Sequence, residues 1–137
     1  MTKYYIDACI WRDYFEDRND RFRPLGEWAL RLINKIIKDE GIFVFSDHLT
    51  NELLKEYSFG ELKRKLEFIP KNLILEIKYA YDRAREANKI KKVLGVPFGD
   101  AMHVVLARDT NAILITRDNH FIKLDNYCEI RKPEDLL

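Results

Sequence analysis

Apolar residues along this chain fall into two kinds of run. Tyr4–Ile6, Ile42–Phe45 and Ala112–Thr116 are short and nearly continuous, which predicts strands buried on both faces. Cys128–Arg131 predicts a last, shorter strand. Elsewhere the apolar positions recur at helical spacing. From Leu25 to Lys38 they are Trp28, Leu32, Ile33, Ile36 and Ile37, and Gly41 supplies the stop. Ala8–Phe15 predicts a short helix or helical turn. Asp47–Tyr57 predicts a helix capped by Ser46 or Asp47, and Glu61–Phe68 another that Pro70 breaks. Asp100–Arg108 is apolar nearly all round, the mark of a buried helix. Arg18–Pro24 and Gly95–Gly99 are connections. Leu73–Ile77 fits either a strand or the start of a helix continuing to Leu94.

Strands that alternate with helices and are apolar on both faces predict an α/β fold, its mostly parallel sheet covered on both sides. The length of 137 residues suits one domain spanning 1–137. A composition 47% hydrophobic and 34% charged is that of a folded globular chain. With a net charge of +1 there is no global basic field, so nucleic-acid binding would need a local patch. No segment is apolar for long enough to span a bilayer and no signal-like N-terminus appears, so a cytoplasmic location is expected. Cys9 and Cys128 stand far apart, outside any CxxC array, and read as reduced buried thiols.

Four acids then change the picture. Asp7 ends the first apolar run, Glu52 lies among Leu49, Leu53 and Leu54, Asp100 opens the buried helix, and Asp118 follows the run ending at Thr116. Unpaired carboxylates cost several kcal/mol when buried. Ligands of open α/β sheets bind beyond the carboxyl ends of the strands, where Asp7 and Asp118 fall. Mg²⁺ or Mn²⁺, which take carboxylate and water oxygens, would make the four tolerable together. Taken singly, Asp47, Asp100 and Asp118 also read as helix caps. The three histidines form no HExxH pattern, and a lone histidine on a core helix reads as a hydrogen-bonded structural residue. There is no nucleophile elbow or glycine-rich phosphate loop.

The flanks of these acids resemble the PIN-domain nucleases, in particular the small VapC-like toxins of toxin–antitoxin pairs. Tyr5-Ile6-Asp7-Ala8-Cys9 is similar to the family's opening strand and first acid. Ser46 with Thr50-Asn51-Glu52-Leu53 is similar to the second motif, and Pro97-Phe98-Gly99-Asp100-Ala101 to the third. Leu114-Ile115-Thr116-Arg117-Asp118-Asn119-His120-Phe121 is similar to the fourth, and Lys132–Leu137 to the family's ending. The resemblance implies a three-layer α/β/α sandwich, with Asp7, Glu52, Asp100 and Asp118 as metal-binding and catalytic acids and Thr116 as a supporting hydroxyl. It also implies an RNA substrate, a small antitoxin partner and a homodimer. Cys9 departs from the Ser, Thr or Asn of many relatives, and a thiol is a weaker hydrogen-bond partner.

Arg83, Arg85, Lys89, Lys91 and Lys92, with Arg117 and Lys123, read either as a solvated face or as the phosphate-contacting flank of an RNA groove. Trp28, Phe43, Phe45 and Phe98 read as core, and Tyr57, Phe59 and Leu62 as a candidate partner surface. Three rivals stand beside a toxin ribonuclease: an RNA-processing nuclease of the same fold, a receiver-like signalling domain with an acidic Mg²⁺ pocket, and a catalytically silent interaction domain. The receiver pattern fits poorly, lacking a paired acid near the first strand and a lysine ending the last.

Overall fold

The computed structural model describes every residue from Met1 to Leu137. Its centre is a five-stranded sheet, parallel throughout, in the order β3-β2-β1-β4-β5. The strands are β1 (Lys3–Ile6), β2 (Ile42–Ser46), β3 (Ile74–Ile77), β4 (Ile113–Ile115) and β5 (Ile130–Arg131). Helices α1 (Ala8–Glu16) and α2 (Leu25–Lys38) join β1 to β2, and α3 (Asp47–Leu54) and α4 (Phe59–Leu66) join β2 to β3. Helices α5 (Tyr81–Leu94) and α6 (Phe98–Asp109) join β3 to β4. Short 3₁₀ turns occupy Lys71–Leu73, Asn119–Leu124 and Pro133–Leu136.

Sequential strands step outward from β1 through β2 to β3, and the chain then crosses back to lay β4 on the other side of β1. The direction of winding therefore reverses between β1 and β4. In parallel α/β sheets that reversal opens a crevice at the carboxyl ends of the two strands. Asp7 and Thr116 follow directly on those ends.

Local chemistry sets the helix starts. Asp7 caps α1 by accepting from the Ala8 amide, and Ser46 caps α3 by accepting from Leu49. Ser58 and Glu61 form a reciprocal capping box on α4. Gly95 ends α5 at φ 67°, a left-handed conformation that suits glycine. A Cβ on Gly26 would meet the Asp17 backbone at 2.5 Å, so glycine lets α2 pass close over the end of α1. The core is one continuous cluster. Trp11 stacks on Phe45 and Phe15 with centroids 5.4 and 5.8 Å away, and Leu32, Ile33 and Ile36 are fully buried from α2. No helix is long and apolar enough to cross a membrane.

The structure departs from the sequence expectations in a few places. Of Leu73–Ile77, Leu73 closes a 3₁₀ turn and Ile74–Ile77 resolves as a strand, because it pairs in parallel with Phe43–Ser46. Helix α3 ends at Leu54, and the following turn tucks Tyr57 into the core, where its hydroxyl donates to Glu16. Because Ser58 starts α4 at Phe59, Leu62 faces the core. Only Phe59 of the expected partner trio is exposed. Helix α6 begins at Phe98, inside the expected connection. Trp28 is half-buried beneath the Arg117 guanidinium, and both cysteines are half-buried free thiols.

Candidate active site

Asp7, Asp100 and Asp118 gather at the crevice between β1 and β4, and Glu52 is joined to Asp7 through His103. Asp7 is 8% exposed. Its Oδ1 accepts from the Ala8 amide at 2.8 Å, and its Oδ2 accepts from the Thr116 hydroxyl at 2.8 Å. Thr116 in turn accepts from the Asp118 amide at 3.1 Å, so one hydroxyl ties the first acid to the loop carrying the fourth. Asp118 caps its own 3₁₀ turn through the His120 amide. The His120 ring bridges Asp118 and Asp100, with Nδ1 2.9 Å from one carboxylate and 3.4 Å from the other. Cap and site residue are thus the same side chains at Asp7 and Asp118.

Asp100 sits in the first turn of α6, where the helix dipole favours negative charge. Even so, burial together with the charges of Asp118 and Asp7 pushes its pKa up to about 6. Its Oδ2 is buried and has no hydrogen-bond partner. A buried carboxylate oxygen whose one polar neighbour is the His120 ring at 3.4 Å, set beside two further carboxylates, is the arrangement a divalent cation relieves. The carboxylate oxygens of Asp7, Asp100 and Asp118 fit Mg²⁺ or Mn²⁺, and the His120 ring nitrogen lies within reach of the last two.

Glu52 reaches the crevice from the second turn of α3, held by histidine. It is hydrogen-bonded to His103 Nε2, which also lies 3.8 Å from Asp7 Oδ1, and His48 Nε2 lies 3.6 Å away. Burial alone would raise the Glu52 pKa, but the His103 hydrogen bond and the charges of His103 and His48 bring it below the ordinary glutamate value. His103 is fixed from behind. Its Nδ1 is 2.7 Å from the Tyr5 hydroxyl, which is 2.6 Å from Ser46 Oγ. Burial opposes charge on His103, but the Glu52 hydrogen bond and the charges of Asp7 and Glu52 raise its pKa overall. Burial lowers that of His48, and His103 lowers it further. The signal for this histidine pair was present in the spacing: His48 lies four residues before Glu52, and His103 three after Asp100.

At Cys9 the thiol does supply a contact, Sγ donating to Asp7 Oδ2 at 3.4 Å. Burial and the Asp7 charge push its pKa up to about 12, so it remains a neutral donor and not a nucleophile.

The basic residues divide. Arg117 donates to Glu134 at 2.8 Å, lies 3.6 Å from Asp13, covers Trp28, and is only 13% exposed. Its guanidinium is committed inside the fold. Arg83 is held by Asp109 at 2.8 Å, and Glu86 by Arg108, which makes α5 antiparallel to α6. The carboxyl end of α5 therefore lies beside the start of α6, where Asp100 sits. Lys89, Lys91 and Lys92 are exposed toward that end. Arg85, exposed nearer the other end, lies over the Tyr81 ring.

Residues 4–127 match the family model described as PIN domain. No curated protein matches the chain. Solved structures share its fold. VapBC2 from Rickettsia felis, bound to a DNA fragment from its promoter, is similar at a TM-score of 0.69 and 13% identity, over 96% of this chain and 98% of that one. FitAcB from Neisseria gonorrhoeae is similar at 0.63 and 15% identity, over 96% and 98%. FitAB bound to an IR36 DNA fragment is similar at 0.65 and 14% identity, over 95% and 94%.

Proposed function

The chain belongs to the PIN domain family, and from that premise we propose that it is a divalent-metal-dependent endoribonuclease, the toxin of a toxin–antitoxin pair. The observation that carries this reading is the convergence of Asp7, Asp100 and Asp118 on one crevice, with Asp100 Oδ2 buried and without a hydrogen bond. The name of the VapBC2 structure accords with the VapC-like motifs in the sequence. A small antitoxin and a second copy of the chain are the partners proposed with it.

Asp7, Asp100 and Asp118 would hold the cation, Mg²⁺ or Mn²⁺. When bound, it supplies Lewis-acid stabilisation of charge developing on the phosphodiester and eases deprotonation of an attacking water. The remaining work falls to side chains. Thr116 and the Ala8 amide fix the Asp7 carboxylate, so its oxygens are pre-oriented before substrate arrives. Glu52 stays ionised at neutral pH and is aimed by His103, which suits it either to orient a water and accept its proton or to hold a second ion. Lys89, Lys91 and Lys92, with Arg85 further along the helix, are the proposed phosphate contacts. Arg117 and Arg83 hold structure by their ion pairs.

The test is cleavage of defined RNAs with Mg²⁺, Mn²⁺ or EDTA, using Asp7→Asn and Asp100→Asn as controls. Asn is as good a helix cap as Asp, so Asp7→Asn keeps the α1 start while removing a ligand charge. Metal-independent cleavage, or none by the wild-type chain, overturns the reading.

A further inference from the structure

We propose that His48, Glu52 and His103 form a second, nitrogen-rich cation site for a divalent transition ion such as Zn²⁺ or Mn²⁺, beside the carboxylate site. One ligand atom from each of the three lies within 4.8 Å of the others. His48 and Glu52 project from one face of α3 at i and i+4, and His103 meets them from α6. The two imidazole rings lie with centroids 4.6 Å apart, and both Nε2 atoms address the same Glu52 oxygen.

Two observations separate a cation site from a plain structural ion pair. A Glu52–His103 hydrogen bond alone would account for His103 and for nothing else. It leaves His48 Nε2 buried with no hydrogen-bond partner, 3.6 Å from the Glu52 oxygen. Bonds of about 2.0–2.1 Å to a tetrahedral ion place neighbouring ligand atoms roughly 3.3 Å apart, close to the His48–Glu52 separation, while His103 and Glu52, in direct hydrogen-bond contact, would part to admit the ion. The second observation is the support behind His103. A histidine that ligates through one ring nitrogen is oriented by a hydrogen bond at the other. His103 Nδ1 has that partner in Tyr5 Oη at 2.7 Å, itself anchored on Ser46 Oγ at 2.6 Å. Two imidazoles and one carboxylate make three protein ligands, leaving a fourth position for water or a substrate oxygen. Imidazole donors favour Zn²⁺ over Mg²⁺, so the two sites would sort ions by softness: Mg²⁺ to Asp7, Asp100 and Asp118, the transition ion to the histidines.

The proposal builds on the metal-dependent reading of the crevice but is tested without RNA. The intact chain, saturated with Mg²⁺, is titrated with Zn²⁺ in a calorimeter, and with Mn²⁺ for pulsed electron paramagnetic resonance. One Zn²⁺ per chain should bind beyond the Mg²⁺ sites, and bound Mn²⁺ should show ¹⁴N modulation from imidazole. His48→Ala should weaken that Zn²⁺ at least tenfold and reduce the ¹⁴N signal, and Glu52→Gln should weaken it too. His120→Ala, which removes the imidazole beside Asp100 and Asp118, should leave the His48-dependent Zn²⁺ and its share of the ¹⁴N signal unchanged. Circular dichroism confirms that each variant is folded, and the small-residue change at the partly exposed His48 keeps the core intact. No Zn²⁺ beyond the Mg²⁺ sites, or equal affinity in His48→Ala, overturns the proposal. Zn²⁺ binding lost with His48 but no RNA cleavage would remove the nuclease reading and keep this site. Cleavage with His48-independent Zn²⁺ binding would do the reverse.

Discussion

Replacing Asp100 by Asn in metal-free protein should make the fold more stable at neutral pH while removing a ligand. Burial and the neighbouring charges of Asp118 and Asp7 raise the folded-state pKa of Asp100 from 3.8 to about 6. A carboxyl whose pKa is raised on folding binds its proton more tightly in the native state. Stability is therefore fully present below the unfolded pKa near 3.8 and is lost as pH rises through about 6. About two pKa units correspond to about 3 kcal/mol at most. The side chain is 17% exposed and the amide must itself be buried, so a gain of about 1–2 kcal/mol is expected at pH 7. For a chain of this size that is a rise of roughly 3–10 °C in Tm. Thermal melts followed by circular dichroism in EDTA at pH 7 and pH 4 measure it, and the advantage of Asp100→Asn should vanish at pH 4. Saturating Mn²⁺ should reverse the order at pH 7, since a ligand at 100 times its Kd stabilises by about 2.7 kcal/mol and only the wild type keeps the full site. An Asp100→Asn variant less stable than wild type at pH 7 in EDTA, or one equally favoured at pH 4, would refute the reasoning.

Other outcomes follow from the same geometry. Thr116→Val removes the hydroxyl between Asp7 and Asp118; it should cost about 1–2 kcal/mol by chemical denaturation and lower kcat more than it raises KM. Arg117→Ala should destabilise the fold by about 1–3 kcal/mol by leaving Asp13 and Glu134 unpaired, with no change in the salt dependence of RNA binding. Lys91→Ala with Lys92→Ala should do the opposite, weakening RNA binding and flattening its salt dependence while Tm holds. Trp11→Ala should cost about 3–5 kcal/mol by opening a cavity between Phe15 and Phe45, measurable by urea denaturation.

Much of this architecture was legible in the chain because buried parallel strands leave continuous apolar runs. Leu25–Lys38 was readable to the residue, its apolar positions and the following Gly41 marking both limits. Leu73–Ile77 was not, because a short apolar run has the same composition in a strand and in a buried helix. Only its pairing with Phe43–Ser46 decides. The acids showed themselves by sitting beside strand ends. Their linkage through Thr116 and His120 could not be read, since it depends on β1 and β4 becoming neighbours across a chain crossing. Spacing put His48 on the Glu52 face of one helix and His103 on the Asp100 face of another, but that the two rings meet could not be read, since they are 55 positions apart and their contact depends on α3 packing against α6. Arg117 looked free because Asp13 and Glu134, its two partners, lie at opposite ends of the sequence.

Single-turnover cleavage of a defined RNA panel, with and without added Mg²⁺ or Mn²⁺, tests the central claim most directly. The account predicts cleavage by the wild-type chain that EDTA abolishes and added metal restores, and none by folded Asp7→Asn or Asp100→Asn. Full cleavage in EDTA, or undiminished cleavage by both folded variants, would contradict it.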